Sequence, residues 1–509
     1  MSVGPGSVES PAAAKFLRRL GPLLVALVAF VAACAIARLG LLLPVRADLS
    51  FPEAAVVARS LDVAAGRPAY QDWRRWPHAF APYGPLAYYP VGGLARWMAR
   101  AEVRPRMIYL LGRIESLAAL LGIGCLLGRL AWKLGAGPLG AGLAVGLALL
   151  WLRLFEYCLS FRPDGPQVFF SLAALGMILG GEPTARRATA ALGLLSISFW
   201  FKPSSWGMAI VVAEWLRRGS GGRRTAILLA TFLAANLASA ITLDRLWNGC
   251  LFLNMIGSLD NGWRPSNLPA FYLRLPLAAL LVLVAAVVGA ARTLIRRGEA
   301  PAPRWVAFAL LATFAATSLQ NLKVGADINY YLEAYALAST WTAAEGIALW
   351  RGRGRIGPVA PLVAFGLVAA PVLTYNAAAE VRSFIPNART MRRGWEGHPL
   401  AERARHIDGL LLTTMPHLVF EAFSGPTVLD FVQYGILRAR GRLEDAELID
   451  RLETRAFSAV ILSTEILDSA GRPGREPPFS PRFLPALFEH YVVEEQVGFA
   501  TILRPRPGP

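Results

Sequence analysis

The chain has 509 residues, 55% of them hydrophobic and only 17% charged, with a mean hydropathy of +0.44. That balance excludes an ordinary soluble enzyme and matches a polytopic membrane protein, whose core lies within the bilayer. The formal charge of +18 does not call for a nucleic-acid partner: from Glu380 onward 16 arginines face 17 acidic residues, so the excess lies between the apolar runs, where short basic loops obey the positive-inside rule.

Four cysteines (Cys34, Cys125, Cys158, Cys250) lie in or beside apolar runs without metal-ligand spacing, which argues against a zinc site or a disulfide framework. A Cys158–Cys250 bridge has no support in the sequence. No Asn-x-Ser/Thr sequon occurs, and the chain is rich in Ala, Gly and Arg; both favour a bacterial plasma membrane over the endoplasmic reticulum. The run Gly21 to Pro44 lacks a clear cleavage site and is too long for a signal peptide, so it reads as an anchor.

Lys15, Arg18 and Arg19 precede that run and should hold the N-terminus in the cytoplasm, sending residues 45–105 outside. This loop opens with Arg46-Ala47-Asp48-Leu49-Ser50-Phe51-Pro52-Glu53, whose acids leave a membrane helix and enter an amphipathic one. Gly66-Arg67-Pro68-Ala69-Tyr70-Gln71-Asp72 and Tyr83-Gly84-Pro85-Leu86-Ala87-Tyr88 follow, rich in turn formers and aromatics. Further runs are Met107 to Trp132, Leu139 to Leu154 and Pro166 to Gly180, the last preceded by Arg162-Pro163-Asp164-Gly165. Two short helices, Ala188 to Phe201 and Ser205 to Leu216, meet at an outer turn, Lys202-Pro203-Ser204.

Spans follow at Ala226 to Leu243, Leu275 to Ala291 and Trp305 to Gln320, then Lys323-Val324-Gly325-Ala326-Asp327-Ile328-Asn329-Tyr330, then Leu332 to Trp350 and Pro358 to Tyr375. With about eleven spans, every arginine cluster after an inward-going run falls on one side, giving N-in, C-out topology. Residues 1–379 thus form a transmembrane domain, and 380–509 a small extracytoplasmic α/β domain. Its strand-like runs are Leu418-Val419-Phe420, Val428-Leu429, Ala459 to Leu462 and Ala500 to Leu503, with helical periodicity over Glu444 to Arg455 and Arg482 to Tyr491.

Chemistry concentrates on the outer side. Attack of a hydroxyl on an anomeric carbon needs a carboxylate to take the proton, and a phosphate leaving group needs positive charge. Only four of the 52 basic residues are lysines, and two of them, Lys202 and Lys323, fall at outer ends of spans. A charge so placed costs about 2.5–3.5 kcal/mol unless it is partnered, and a lipid phosphate is one such partner. Asp48 and Glu53 are equally compatible with a solvated loop acid and a helix-start acid, and Asp164 with a helix cap. Snorkelling is an ordinary alternative for the lysines, interfacial anchoring for Arg162, and an interfacial belt for Tyr83 and Tyr88.

The acidic segment after the first span, Gly66-x-Pro68-x-Tyr70-x-Asp72, Tyr83-Gly84-Pro85-Leu86-x-Tyr88, Arg162-Pro163-Asp164-Gly165 and Lys323-x-Gly325-x-Asp327-x-Asn329-Tyr330 occur in this order. Together they resemble the GT-C superfamily of integral membrane glycosyltransferases, in its family-39-like branch of protein mannosyltransferases and aminoarabinose transferases. The resemblance implies a polyprenyl-phosphate-linked sugar donor and an extracytoplasmic acceptor that is a glycan, lipid or protein, with transfer by inverting single displacement. It places Asp48, Glu53 and Asp164 in catalysis, Arg162, Lys202, Lys323, Asp327, Asn329 and Tyr330 around the donor phosphate and sugar, and Tyr83 and Tyr88 beside the acceptor. The family's adjacent Asp-Glu pair falls here on Pro52-Glu53, so Asp48 or Glu53 is the base. The metal requirement stays open. Two other classes are a lipid-linked glycan transporter or flippase, which would want broken mid-membrane helices or a pseudo-repeat, and a non-catalytic assembly protein, which leaves the outer acids and lysines without a task.

Overall fold

The computed structural model describes residues 42, 43, 45, 48–50, 52–99, 102–150, 157–275, 277–296, 300–350, 398–422, 430–464 and 479–507. The expected first span, the last span at 358–375, the domain boundary at 380 and the strand at 428–429 lie outside the described residues, apart from the end of the first span at 42 and 43.

Helices α1 (Glu53–Ala64) and α2 (Tyr89–Met98) belong to the first loop. The membrane bundle comprises α3 (Pro105–Lys133), α4 (Gly137–Leu150), α5 (Asp164–Ile178), α6 (Ala185–Phe201), α7 (Trp206–Ser220), α8 (Gly222–Leu246), α9 (Leu277–Ile295), α10 (Pro301–Gln320) and α11 (Leu332–Trp350). Their limits follow local punctuation. Thr184 caps α6 by accepting from the Arg187 amide at 3.3 Å, and prolines stand in the first turns of α2, α3 and α10, where a missing N–H costs nothing.

Among the described residues α3, α8 and α10 are long and apolar enough to cross a membrane. The two runs expected to be short helices, 188–201 and 205–216, correspond to α6 and α7. α5, α6 and α7 have only 15, 17 and 15 residues, short of the ~20 that a straight crossing takes. α5 lies between α3 and α6 and buries most of its length in protein, so its extent is set by packing instead of by bilayer thickness. α8 buries only Thr225. It is fastened to α6 where Asn236 Oδ1 accepts from Ser196 Oγ at 2.6 Å and Trp200 Nε1 at 2.9 Å.

Past residue 398 come α12 (Phe431–Ala439), α13 (Ala446–Glu453) and α14 (Phe483–His490), with β1 (Leu411–Thr413), β2 (Ala459–Ser463), β3 (Tyr491–Val497) and β4 (Ala500–Pro505). The sheet order is β1-β2-β4-β3, with β1 parallel to β2 and the other pairs antiparallel. The expected strand at Leu418–Phe420 is instead a 3₁₀ turn, Pro416–Phe420, because Pro416 presets a helical φ and supplies no N–H for a ladder. Tyr491 opens β3 and does not close the preceding helix.

Trp73 and Phe80 of the first loop share one apolar core with Leu412, Tyr434, Leu437, Phe457 and Leu503. Ala55 and Ala58 of α1 pack on Val419. The first loop and the C-terminal region thus lie on the same side of the bundle. This is also why α1, expected to be amphipathic, is buried over almost its whole circumference: the C-terminal region covers a face that the sequence leaves to water. Cys158 and Cys250 are free thiols.

Candidate active site

The first-loop acids occupy different environments. Glu53 is fully buried and binds Arg113 of α3 at two points, Nε to Oε1 and Nη2 to Oε2, both at 2.9 Å. Its oxygens also accept from the Leu49 amide at 2.8 Å and the Phe161 amide at 2.7 Å. Arg113 donates further to the carbonyls of Leu42 and Val45. This fork ties the end of the first apolar run, α1 and the 157–163 segment to α3. Donors on both of its oxygens fix this carboxylate in place.

Asp48, by contrast, is only partly buried and accepts from the Tyr109 hydroxyl at 2.8 Å. Burial, then the neighbouring Glu53 charge, pushes its carboxyl up to about 7 against the pull of Tyr109 and Arg113. One acid is committed and the other is poised to exchange a proton near neutral pH. Ser50 Oγ to Ser160 Oγ at 2.7 Å fastens the Asp48 segment to the chain leading into Arg162.

Asp164 forms a second, separate cluster. It stands in the first turn of α5, where an acid suits the helix dipole, yet its side chain does not cap the helix. Oδ2 accepts from Arg162 Nε at 2.9 Å, and Oδ1 from Lys202 Nζ at 2.7 Å and Asn329 Nδ2 at 2.8 Å. All four side chains are buried. Arg162 also lies over the Tyr157 ring at 4.5 Å, and Lys202 over the Tyr330 ring at 4.2 Å, contacts that favour a cation. Burial draws the Lys202 ammonium down most strongly, but the Asp164 charge and hydrogen bond, together with the nearby Tyr330 and Tyr83 phenols, outweigh it and leave the lysine above its ordinary value. Asn329 Oδ1 is buried with no hydrogen-bond partner among the described residues.

Lys202 is set in place from outside the bundle. The Gly84 amide donates to the Phe201 carbonyl at 3.1 Å, and a Cβ at Gly84 would lie 2.0 Å from the Trp200 carbonyl oxygen. Glycine is required there for the aromatic loop to seat on the end of α6, just before the lysine. In that loop Tyr88 is a buried brace whose hydroxyl accepts from the Tyr83 amide at 3.2 Å, while the Tyr70 hydroxyl donates to the Tyr83 carbonyl at 2.7 Å. The Tyr83 phenol lies within electrostatic reach of Arg162, Asp164 and Lys202. Of the two aromatics singled out in sequence, Tyr83 faces the cations and Tyr88 supports it.

Lys323 is half-buried in the turn after α10, and no carboxylate lies within ion-pair distance of it among the described residues. Burial and then the Lys202 charge press its ammonium down to about 8, with Asp260 opposing. Asp327 accepts from the Tyr157 hydroxyl at 2.5 Å and caps the turn by accepting from the Ile328 amide at 2.7 Å. Asn329 orients Asp164. Arg162, Lys202, Asp164, Asn329 and Tyr330 are therefore one contact cluster, with Lys323 beside it. Asp48 and Glu53 adjoin it through the 157–163 segment without touching Asp164.

Sequence reasoning missed Arg113, Tyr109, Tyr157 and Asp430. An arginine inside an otherwise apolar span was a signal, because such residues are rare and usually partnered. Asp430 lies far along the chain and only the tertiary structure brings it near Arg162 and Tyr88. Among the described residues no three His, Cys, Asp or Glu side chains converge as metal ligands would.

No protein-family model and no curated protein matches this chain. Solved structures do. ArnT from Cupriavidus metallidurans bound to undecaprenyl phosphate is similar over 94% of this chain and 97% of that chain, with 13% identity and a TM-score of 0.57. The apo state of that protein gives the same coverage and identity and a TM-score of 0.52. The Archaeoglobus fulgidus oligosaccharyltransferase in complex with zinc and sulfate is matched over 91% of this chain and 71% of that chain, with 12% identity and a TM-score of 0.46. The likeness to ArnT runs through nearly all of both chains, so this chain shares the fold of that structure.

Proposed function

We propose that the protein transfers a sugar from a polyprenyl-phosphate-linked donor to an acceptor hydroxyl at the outer face of the plasma membrane, with inversion at the anomeric carbon. The observation that carries this reading is the cation set. Lys202 shares its acid with Arg162, and Lys323 lies within electrostatic reach of Lys202 with no carboxylate in ion-pair contact among the described residues. Cations gathered in a desolvated niche are costly unless an anion joins them, and a lipid phosphate, held at the membrane surface by its chain, is such an anion. ArnT from Cupriavidus metallidurans, whose fold this chain shares, is solved bound to undecaprenyl phosphate.

The acceptor oxygen attacks the anomeric carbon, the bond from that carbon to the phosphate oxygen breaks, and its electron pair leaves on the phosphate. Lys202, Lys323 and Arg162 stabilise that charge as it develops. Asp48 takes the acceptor proton, because its carboxyl titrates near neutrality while both oxygens of Glu53 are committed to Arg113 and backbone amides. Asp164 acts as a positioning residue that fixes Arg162 and Lys202, and Asn329 Oδ1 is free to accept from a sugar hydroxyl. Purified protein offered a panel of undecaprenyl-phosphate sugars with glycan, lipid and peptide acceptors tests the reading. Turnover of at least one donor is expected, and failure to bind undecaprenyl phosphate in any form would overturn it.

A further inference from the structure

The C-terminal region meets the phosphate niche through one helix, α12. At its start Asp430 caps the helix by accepting from the Gln433 amide at 2.8 Å, and its buried carboxylate lies within electrostatic reach of Arg162. One turn on, Gln433 enters a reciprocal amide pair with Asn261. Its Nε2 donates to Asn261 Oδ1 at 2.8 Å and also to the Ser258 carbonyl, while Asn261 Nδ2 donates back to Gln433 Oε1 at 3.3 Å. The same Asn261 Nδ2 donates to the Val324 carbonyl at 3.0 Å, immediately after Lys323. Gly325, at φ +79°, is where helix and turn press together: a Cβ there would meet Asn261 Nδ2 at 3.1 Å and Ile436 Cδ1 at 3.3 Å.

The Lys323 turn is closed by Lys323 N to Gln320 O at 3.1 Å and Ala326 N to Lys323 O at 3.2 Å, and Asn267 Nδ2 donates to the Lys323 carbonyl at 3.3 Å. The turn's backbone pairs with the 262–264 segment, Arg264 N to Leu322 O at 2.7 Å and Val324 N to Gly262 O at 3.0 Å. That segment is in turn held by α12 and by Arg440 and Arg442, which bind Asp260 at 3.5 and 2.6 Å. These arginines also draw on the carboxylate that otherwise acts on Lys323. A buried amide pair with every donor matched fixes a single geometry, and a lysine reaches a phosphate only from a fixed turn.

We infer that α12 is a positioning element of the lipid-phosphate site: Gln433, through Asn261, sets the backbone beneath Lys323, so that docking of the C-terminal region completes the niche. This rests on the phosphate-site reading of Lys323 given above. The test uses the full-length protein in detergent, with undecaprenyl phosphate as the probe, and compares Gln433→Ala, Lys323→Ala and the double variant. Each single change should weaken binding by about tenfold, and the double variant should be no weaker than Lys323→Ala alone, a non-additivity that general destabilisation does not produce. Gln433→Glu, which loses the donor to Asn261 but keeps the side-chain volume, separates lost positioning from a packing defect and should weaken binding as Gln433→Ala does. If Lys323→Ala binds like the parent, the phosphate-site reading fails. If Lys323→Ala weakens binding and Gln433→Ala does not, or the two losses simply add, the role of α12 is refuted and the phosphate site stands.

Discussion

Lys323 is the residue at which charge, burial and pH combine most sharply. With an ammonium pressed down to about 8 by burial and by Lys202, the lysine is roughly nine-tenths protonated at pH 7 and roughly one-tenth at pH 9. Phosphate binds the charged form, so affinity is full below pH 8 and falls as pH rises through it, with the slope of a single proton. A charge-assisted contact of this kind contributes about 1.5–3 kcal/mol, which bounds the loss at roughly 10- to 150-fold. Titrating undecaprenyl phosphate into the purified protein between pH 7 and 9.5 reads this directly, since the second ionisation of a phosphate monoester near pH 6 is then complete. Lys323→Ala should show the weak, alkaline-limit affinity at every pH. Lys323→Arg should keep the contact and lose the break, because arginine stays charged. Lys133→Ala, which removes a lysine that only caps the Leu179 carbonyl at 3.1 Å, should bind as the parent does. A break near pH 8 that persists in Lys323→Arg would show that another group titrates and that Lys323 is an interfacial anchor.

Three further outcomes follow from the same geometry. Turnover should rise with pH as Asp48 loses its proton near 7 and fall as Lys323 loses its own near 8, giving a narrow bell in kcat/KM; Asp48→Asn should lower kcat by about 10²- to 10⁴-fold with lipid-phosphate binding unchanged, and full activity in that variant would move the base elsewhere. Arg113→Met leaves the buried Glu53 carboxylate without its cation and should cost about 3–5 kcal/mol, read as a lowered Tm in detergent that Glu53→Gln in the same chain partly restores. Gly84→Ala drives a methyl against the Trp200 carbonyl and should displace Lys202, lowering undecaprenyl-phosphate binding more than Gly93→Ala, where a Cβ meets nothing within 4 Å.

By itself the sequence determined what is local. Runs of apolar side chains bounded by Pro, Gly and arginine specified helices close to where they stand, because hydropathy and helix punctuation act over a few residues. It also marked Lys202 and Lys323, since charged groups at the ends of apolar helices are costly and conspicuous. What no local pattern contains is pairing across the chain. Only the tertiary structure decided that Glu53 binds Arg113, 60 residues away, while Asp48 meets the Tyr109 hydroxyl instead. Only packing made Asp164 the shared partner of Arg162, Lys202 and Asn329, set the Leu418–Phe420 turn against α1, and brought Gln433 beneath the Lys323 turn. The physical reason is that the energy of a buried charge or amide depends on which partner arrives within about 3 Å, and that partner is chosen by how helices far apart in the chain pack.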